Sequence, residues 1–94
     1  MIIIKTKGEI TNTGDFLTFA KADLEWLKKQ VGGYVQVIKV LHNGRRVDMA
    51  VDDEGRLKNK PINFVASYLA GQTIVGDVVL FNKEPFLVNK VLQH

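Results

Sequence analysis

Residues 52–81 read DDEGRLKNKPINFVASYLAGQTIVGDVVLF and carry the strongest structural signals of the chain. Asp53-Glu54-Gly55 has the composition of a chain reversal, because aspartate and glycine favour turn conformations. A basic segment, residues 56–60, follows and ends at Pro61, whose ring stiffens the backbone. The stretch contains no catalytic constellation, and it is typical of a small binding module.

A short helix and an apolar strand complete this stretch. The sequence predicts a helix over residues 64–69, with Asn63 as its N-cap and Gly71 at its end, since asparagine and glycine favour these two positions. Residues 74–81 are the most apolar run of the chain and predict a strand. A turn and a further strand at residues 86–92 are predicted to close the domain with a hairpin.

The first third of the chain predicts a hairpin followed by an amphipathic helix. Residues 2–6 are apolar and β-branched, and residues 9–19 resume β-prone character around a break at residues 13–15. The pattern changes from Lys21 onwards: Asp23 is placed as an N-cap or in the first turn of a short helix, and Leu24, Leu27 and Val31 recur at helical spacing. Gly32-Gly33 ends this helix, because glycine readily adopts the positive φ of a helix C-cap.

A second hairpin follows the helix. Residues 34–41 are largely apolar on both faces, which predicts a central strand. The pair Asn43-Gly44 favours a tight type I′ turn, and alternating residues at 46–52 form the returning strand. We therefore predict one α+β domain, residues 1–94, with a small mixed or antiparallel sheet of about five to six strands and two short helices on one face.

The composition limits the class of protein. A chain of 94 residues forms one domain that buries somewhat more than ~60% of its unfolded surface, so a deep pocket is expected to need a second subunit. The absence of cysteine excludes disulfides, zinc–thiolate sites and cysteine nucleophiles. No apolar run is long enough to span a membrane, and the first apolar residues are too few for a signal peptide. We expect a soluble, cytoplasmic protein.

The basic surplus lies in the second part of the chain. Residues 1–55 carry eight basic and eight acidic side chains, whereas residues 56–94 carry five basic and two acidic side chains. A net charge of +3 favours an anionic small molecule over a nucleic-acid duplex, which would need many phosphate contacts and would bind with a steep salt dependence. A basic surface that serves only solubility is the alternative.

The candidate ligand-binding residues lie where the basic segment meets the predicted helix. A helix N-terminus presents unpaired N–H groups, and here polar side chains surround it. The candidates in this segment are Arg56, Lys58, Asn59, Lys60 and Asn63. They predict a receptor for an anion or for the polar edge of a nucleotide. The alternative is a solvated loop in which Asn63 acts only as a helix cap.

Three further residues complete the candidate set. Tyr34 offers an aromatic face on which a nucleobase can stack. Arg45 and Arg46 follow the predicted Asn43-Gly44 turn, and a basic hairpin tip is able to reach a phosphate or a second subunit. The alternatives are a tyrosine at the edge of the core and a simple exposed turn.

Catalysis and metal binding are not expected. Ser67 is the only serine and falls in a predicted helix, and neither His42, in a turn, nor His94, at the C-terminus, is placed to act as its base. The acidic residues 52–54 adjoin a glycine and are more typical of a turn than of a magnesium site. We predict a protein without enzymatic activity, cofactor or metal.

Several of these segments resemble a family of short proteins of unknown function that are frequent in tailed phages and in bacteria. The resemblance covers most of residues 1–81 and is carried best by residues 31–34 (VGGY), residues 54–58 (EGRLK) and residues 61–63 (PIN). The family pattern has Leu-Lys-Gly-Leu-Pro in the loop, whereas residues 57–61 read LKNKP here. The resemblance implies no established activity, and the altered loop implies an altered preference if the loop contacts a ligand.

Two functional hypotheses of different classes follow. The first is a non-enzymatic protein that binds a phosphorylated, nucleotide-like small molecule through the basic loop, with Tyr34 and Arg45 or Arg46 supplied by the same or a second subunit. Several small phage proteins sequester nucleotide-derived immune signals, so the resemblance implies, by analogy, an anti-defence role in the host cytoplasm. The alternative is a protein-binding inhibitor or adaptor that acts on a host protein through a sheet edge or exposed aromatic residues. Under both hypotheses we expect a homodimer, because so small a domain offers little concave surface.

Overall fold

The computed structural model describes residues 1–12 and 21–81, and over these residues the fold is a five-stranded antiparallel sheet with two helices. The strands are β1 (Ile2–Ile4), β2 (Ile10–Asn12), β3 (Val35–His42), β4 (Arg45–Asp52) and β5 (Val78–Phe81), and the helices are α1 (Lys21–Val31) and α2 (Phe64–Ala70). The strand order is β2-β1-β5-β4-β3, and every pairing is antiparallel. The predicted α+β fold is confirmed. The strands predicted at residues 15–19 and 86–92 lie outside the described residues.

The β3–β4 hairpin forms at the predicted turn. Asn43 and Gly44 have φ angles of 53° and 77°, the pair of positive values that a type I′ turn requires. From this turn the two strands pair without a break from His42↔Arg45 to Val35↔Asp52.

Among the described strands, β3 lies at one edge of the sheet and β5 occupies the centre, so the prediction of a central position for β3 is wrong for this part of the chain. All four residues of β5 are buried, as a central strand requires, whereas Val37 and Leu41 of β3 are 46% and 61% exposed. One face of β3 therefore packs partly into the core. Its other face is apolar but is left exposed by the described residues. Sequence periodicity alone does not distinguish these two situations.

The two helices lie on opposite faces of the sheet, so the prediction of two helices on one face is also wrong. Alternate residues of a strand point to opposite faces. Met49 and Leu80 belong to one buried cluster, with Ala66 of α2, whereas their neighbours Ala50 and Val79 belong to a second cluster with residues of α1. The strands β4 and β5 thus carry two apolar faces, and each face is covered by one helix.

The helix ends agree with the local sequence signals. The helix α1 ends at Val31, and Gly32 follows with a φ of 81°. The N-cap of α2 is Asn63 and its C-cap is Gly71, in the left-handed conformation. Neither helix is long or apolar enough to cross a membrane.

The strand predicted at residues 74–81 is shorter in the structure. Only Val78–Phe81 joins the sheet, and Val75 instead forms an isolated antiparallel bridge with Ile62. The backbone N–H of Asn63 donates to Ile74 O at 2.8 Å, and that of Gly76 donates to Pro61 O at 2.9 Å. This pairing fixes the end of the basic loop against the segment that leads into β5.

Candidate functional site

The carboxylate of Asp52, at the end of β4, contacts both lysines of the basic loop. Its Oδ2 atom accepts hydrogen bonds from Lys60 Nζ at 2.6 Å and from Lys58 Nζ at 2.9 Å. Its Oδ1 atom accepts the backbone N–H of Glu54 at 2.9 Å. The Asp52 side chain is fully buried, so two cations and a backbone donor compensate one buried carboxylate.

The pKa of Asp52 reflects this environment. Burial raises the pKa, because desolvation disfavours a charged carboxylate, but the hydrogen bonds from Lys60, Lys58 and the Glu54 N–H outweigh it. The pKa is thereby lowered from 3.8 to about 2. Asp52 is consequently ionised throughout the neutral pH range.

The same two lysines cap the C-terminus of α1. Lys58 Nζ donates to Gly32 O at 3.1 Å, and Lys60 Nζ donates to Val31 O at 2.6 Å. The last carbonyls of a helix lack intrahelical donors and carry the negative end of the helix dipole. Each ammonium group therefore lies between a carboxylate and a helix terminus. We name this arrangement of Asp52, Lys58, Lys60 and the α1 C-terminus the lysine junction.

Gly33 allows this close approach. A Cβ atom at position 33 would lie 2.5 Å from Lys58 Nζ and 2.7 Å from Asp52 Oδ1, both too short for a normal contact. Because the Asp52 side chain is buried, it has little freedom to move away. The two glycines after α1 thus have different roles: Gly32 adopts a positive φ, and Gly33 leaves space for the carboxylate.

Asn63 is buried, and its side-chain amide is satisfied within the chain. Its Oδ1 atom accepts the N–H of Ala66 at 3.0 Å, and its Nδ2 atom donates to Ile4 O at 3.0 Å and to Gly76 O at 2.9 Å. The residue is fully inaccessible to solvent. Asn63 therefore caps α2 and also joins β1 to the loop before β5, which leaves its amide no direct path to a solvent ligand.

Arg56 has a different environment from the two lysines. One guanidinium nitrogen donates to Thr73 O at 3.0 Å, and the group makes no other hydrogen bond within the described part of the chain. It lies beside a cavity of about 290 Å³, which we name the Arg56 cleft. Neutral polar, acidic and apolar side chains line this cleft, among them Gln36, Ile38, Asp53, Leu57, Gln72 and Thr73.

The remaining candidates lie apart from one another in one subunit. Asn59 is exposed and has a φ of 55°, a turn conformation that asparagine tolerates. Tyr34 is 68% exposed, with the Lys28 ammonium 5.6 Å from its ring centroid. Arg45 and Arg46 are at the opposite end of the β3–β4 hairpin, roughly 20 Å from Asp52 at the ordinary rise of a strand. One protomer alone does not bring these arginines to the loop.

A second concave surface follows the free edge of β3. It is an open groove of about 790 Å³ between β3 and the end of α2, and we name it the β3 groove. Its lining includes Lys39, Leu41, Arg46, Tyr68 and Leu69. Tyr68 is 87% exposed, and Phe64, one helical turn earlier, is 75% exposed. The outer surface of α2 therefore carries two exposed aromatic side chains.

Sequence reasoning missed Asp52 as the centre of the lysine junction and treated residues 52–54 as a turn. Its position in the alternation of β4 was the available signal, because Asp52 shares a face with Ala50, which packs beneath α1. A carboxylate on a helix-covered face needs a cation, and the basic loop supplies two. Gln36, Gln72 and Thr73 of the Arg56 cleft carried no local signal at all.

Within the described residues, the hydroxyl of Ser67 makes hydrogen bonds to backbone atoms. Ser67 Oγ donates to Ile74 O at 3.2 Å and accepts the Ile74 N–H at 2.8 Å, so this hydroxyl ties α2 to the following segment. Within residues 1–12 and 21–81, no three histidine or acidic side chains are grouped so that they could hold a metal ion.

These features define a small α+β protein whose antiparallel sheet lies between two helices and whose basic loop is anchored on a buried aspartate. The chain belongs to the DUF3846 family, described as a domain of unknown function, whose family model matches residues 2–85. All residues of the lysine junction lie within this matched range. No curated protein and no solved structure matches the chain.

Proposed function

We propose that this protein is a non-enzymatic binding protein that sequesters a phosphorylated, nucleotide-like small molecule in the Arg56 cleft. The observation that carries the proposal is the exposed guanidinium of Arg56, which makes one hydrogen bond within the described residues and lies beside a cavity of about 290 Å³, close to the lower end of ligand-pocket volumes. A planar guanidinium binds phosphate oxygens through paired hydrogen bonds.

The other cleft residues match the remaining parts of such a ligand. Leu57 is 81% exposed and offers an apolar contact for a base. The amides of Gln36 and Gln72 supply donors and acceptors for its polar edge, and the carboxylate of Asp53 accepts sugar hydroxyls. In this proposal Lys58, Lys60 and Asn63 hold the loop in shape, and Arg56 contacts the ligand.

The biological role in this proposal is an anti-defence role in the host cytoplasm of a phage-encoded protein. Its support is the likeness to a family that is frequent in tailed phages, together with the sequestration of immune nucleotides by other small phage proteins. This step is an analogy between proteins and adds nothing to the chemistry of the cleft.

A ligand panel with a matched variant pair tests the proposal. The purified chain is titrated by calorimetry and thermal shift with mononucleotides, cyclic dinucleotides and dinucleotide derivatives. We expect at least one ligand to bind the wild type and to bind Arg56→Gln about tenfold more weakly, because one charge-assisted contact is lost. Lys7→Gln removes the same charge from an exposed position and should leave affinity unchanged. Binding by no ligand of the panel, or equal losses in the two variants, contradicts the proposal.

The exposed aromatic residues of α2 favour a second candidate function. Phe64 and Tyr68 expose most of their surface in the described structure, and large aromatic side chains are enriched at protein interfaces. A protein-binding inhibitor or adaptor would use this surface to engage a host protein. A pull-down experiment tests this function: the wild type should capture a defined host protein, and Phe64→Ser and Tyr68→Ser should no longer capture it. If both variants still captured the host protein, the α2 surface would be excluded as the binding surface.

A further inference from the structure

The outer edge of β3 presents a regular row of backbone groups. The backbone N–H of Asp53 donates to Tyr34 O at 2.8 Å, so Tyr34 directs its carbonyl towards β4. Successive residues of a strand direct their backbone groups to opposite sides. The residues whose N–H and C=O groups point away from β4 are therefore Val35, Val37, Lys39 and Leu41, and no described strand pairs with them.

Among the described residues, this edge lacks the usual protection against strand pairing. Proteins protect free edges with charged side chains, prolines or bulges. The strand has eight residues, pairs with β4 without a bulge and contains no proline. Its lysine, Lys39, forms an ion pair with Asp48 of β4, so its ammonium group is drawn towards β4 and away from the outer edge. Val37 and Leu41 remain exposed beside it.

We propose that β3 pairs antiparallel with β3 of a second copy, about a two-fold axis at Ile38. In this register Val35 lies opposite the partner's Leu41, and Val37 lies opposite the partner's Lys39. It is the one register that pairs all four outward-facing residues with outward-facing residues, and it is self-complementary, as a two-fold interface requires.

Charge supports this register over its neighbour. A two-fold axis moved to Lys39 would place the two lysines directly opposite each other, and like charges in that position are destabilising. With the axis at Ile38, each Lys39 lies beside an apolar residue of the partner and keeps Asp48 as its ion-pair partner. Val37 and Leu41, which are exposed in one subunit, are then partly covered by side chains of the partner's β3. Tyr68 of α2 lies beside the same strand.

Pairing in this register completes the Arg56 cleft with a cation from the second copy. It places Tyr34 opposite the partner's His42, whose hairpin neighbour is Arg45. The partner's Arg45 is then two strands, roughly 10 Å, from Tyr34 and roughly 12 Å from Gln36, which lines the cleft, and its extended side chain covers more than half of that distance. Arg45 shares a sheet face with Val47, and Gln36 of the cleft shares the same face with Ile38. Each cleft thus receives Arg56 from one subunit and Arg45 from the other.

The absence of cysteine makes the register directly testable by cross-linking in the full chain. Ile38 would lie opposite its own copy in a non-hydrogen-bonded pair, about 4.5 Å between Cα atoms, which suits a disulfide. Oxidised Ile38→Cys should form a covalent dimer in high yield, whereas Leu41→Cys, which faces the partner's Val35, should not. The reverse pattern, or equal yields in both variants, overturns the register.

Mass in solution tests the interface itself. Light scattering of the wild type should give twice the 10.6 kDa chain mass. Val37→Lys should give a monomer with an unchanged circular dichroism spectrum, and the matched Ile10→Lys at the opposite edge strand should remain a dimer. A monomeric wild type, or a dimer that tolerates Val37→Lys, overturns the proposal. If the protein is monomeric and the amides of Val37 and Leu41 resist hydrogen exchange, the chain's own residues cover the β3 edge. This result also overturns the proposed dimer.

The shared cleft rests on the proposed ligand-binding function, and a mixing experiment separates the two. Arg45→Gln should weaken binding of a panel ligand about tenfold without changing the dimer mass. When Arg45→Gln and Arg56→Gln subunits are exchanged, about a quarter of the sites should recover full affinity, because each mixed dimer contains one site with both arginines. If no ligand binds at all, the proposed function fails while mass and cross-linking still decide the dimer. If the ligand binds and Arg45→Gln has no effect, the shared cleft alone is wrong.

Discussion

Lys60 and Arg56 lie four residues apart in the same basic loop, and their charged groups have opposite surroundings. Lys60 contacts a buried carboxylate and the carbonyl of Val31, the last residue of α1, and its side chain is 21% exposed. Arg56 contacts one backbone carbonyl and otherwise lies beside an open cleft. The presence of a basic residue in a loop therefore does not show that its charge is available to a ligand, because Lys60 is already paired with groups of the same chain.

The largest expected effect is the loss of the carboxylate that holds the lysine junction. Asp52→Ala leaves two partly buried ammonium groups without their counter-ion, which should cost about 3 kcal/mol of unfolding free energy. Arg56→Ala, the matched change in the same loop, should cost less than about 0.5 kcal/mol. Urea denaturation measures both. A similar loss of unfolding free energy in the two variants would contradict the view that Lys60 is held by the fold and Arg56 is not.

Asn63→Ala should have the next largest effect. The change removes the α2 cap and leaves the carbonyls of Ile4 and Gly76 without their donor, for a combined cost of roughly 2.5 kcal/mol. Asn59→Gly is the control from the exposed part of the loop, because glycine accepts the positive φ at that position, and its effect should be within about 0.5 kcal/mol. A ligand role for Asn63 instead predicts lost binding with unchanged stability.

Acid should weaken the lysine junction in a defined pH range. The folded pKa of Asp52 is about 2 and its ordinary value is 3.8, so its stabilising contribution is complete above about pH 5 and is lost as the pH falls through 2. The loss amounts to about 2 kcal/mol between these limits. Chemical denaturation of wild type and Asp52→Asn at both pH values isolates this contribution. Parallel pH profiles of the two proteins would show that Asp52 does not titrate in this range.

The smallest effect concerns the two cations themselves. Lys60→Gln should destabilise the fold by about 1 kcal/mol, because Lys58 still compensates Asp52. Arg56→Gln should change stability by less than about 0.5 kcal/mol, while it weakens ligand binding. Comparison of unfolding free energy with ligand affinity for the two variants separates a structural cation from a binding cation. If Lys60→Gln weakened ligand binding without changing the unfolding free energy, Lys60 would be the binding cation instead.

The local signals of the sequence predicted local structure well. Asn43-Gly44, Asn63 and Gly71 each produced the predicted turn or cap, because their preferences depend on backbone conformation over a few residues. The same signals were insufficient for the site. The partners of Lys58 and Lys60 lie on Val31, Gly32 and Asp52, which are distant in sequence or appeared to belong to a turn.

The positions of the strands and helices relative to one another were also not predictable from local sequence signals. An apolar pattern on both faces of residues 34–41 was compatible with a central strand and with an edge strand that carries an exposed apolar surface. Strand order depends on pairing between distant segments, and side-chain alternation contains no information about which neighbour is present. The same reason explains why the two helices were predicted on one face and lie on two.

From the sequence alone came the α+β class, the positions of both helices, the β3–β4 hairpin and a basic loop with five polar candidates. Folding divided these candidates: Lys58, Lys60 and Asn63 are bound within the chain, and Arg56 is left at a cleft. Charge and propensity are properties of single residues and short segments. The availability of a charge to a ligand depends on what the distant parts of the chain have already bound, and this required the packed sheet and helices to be known.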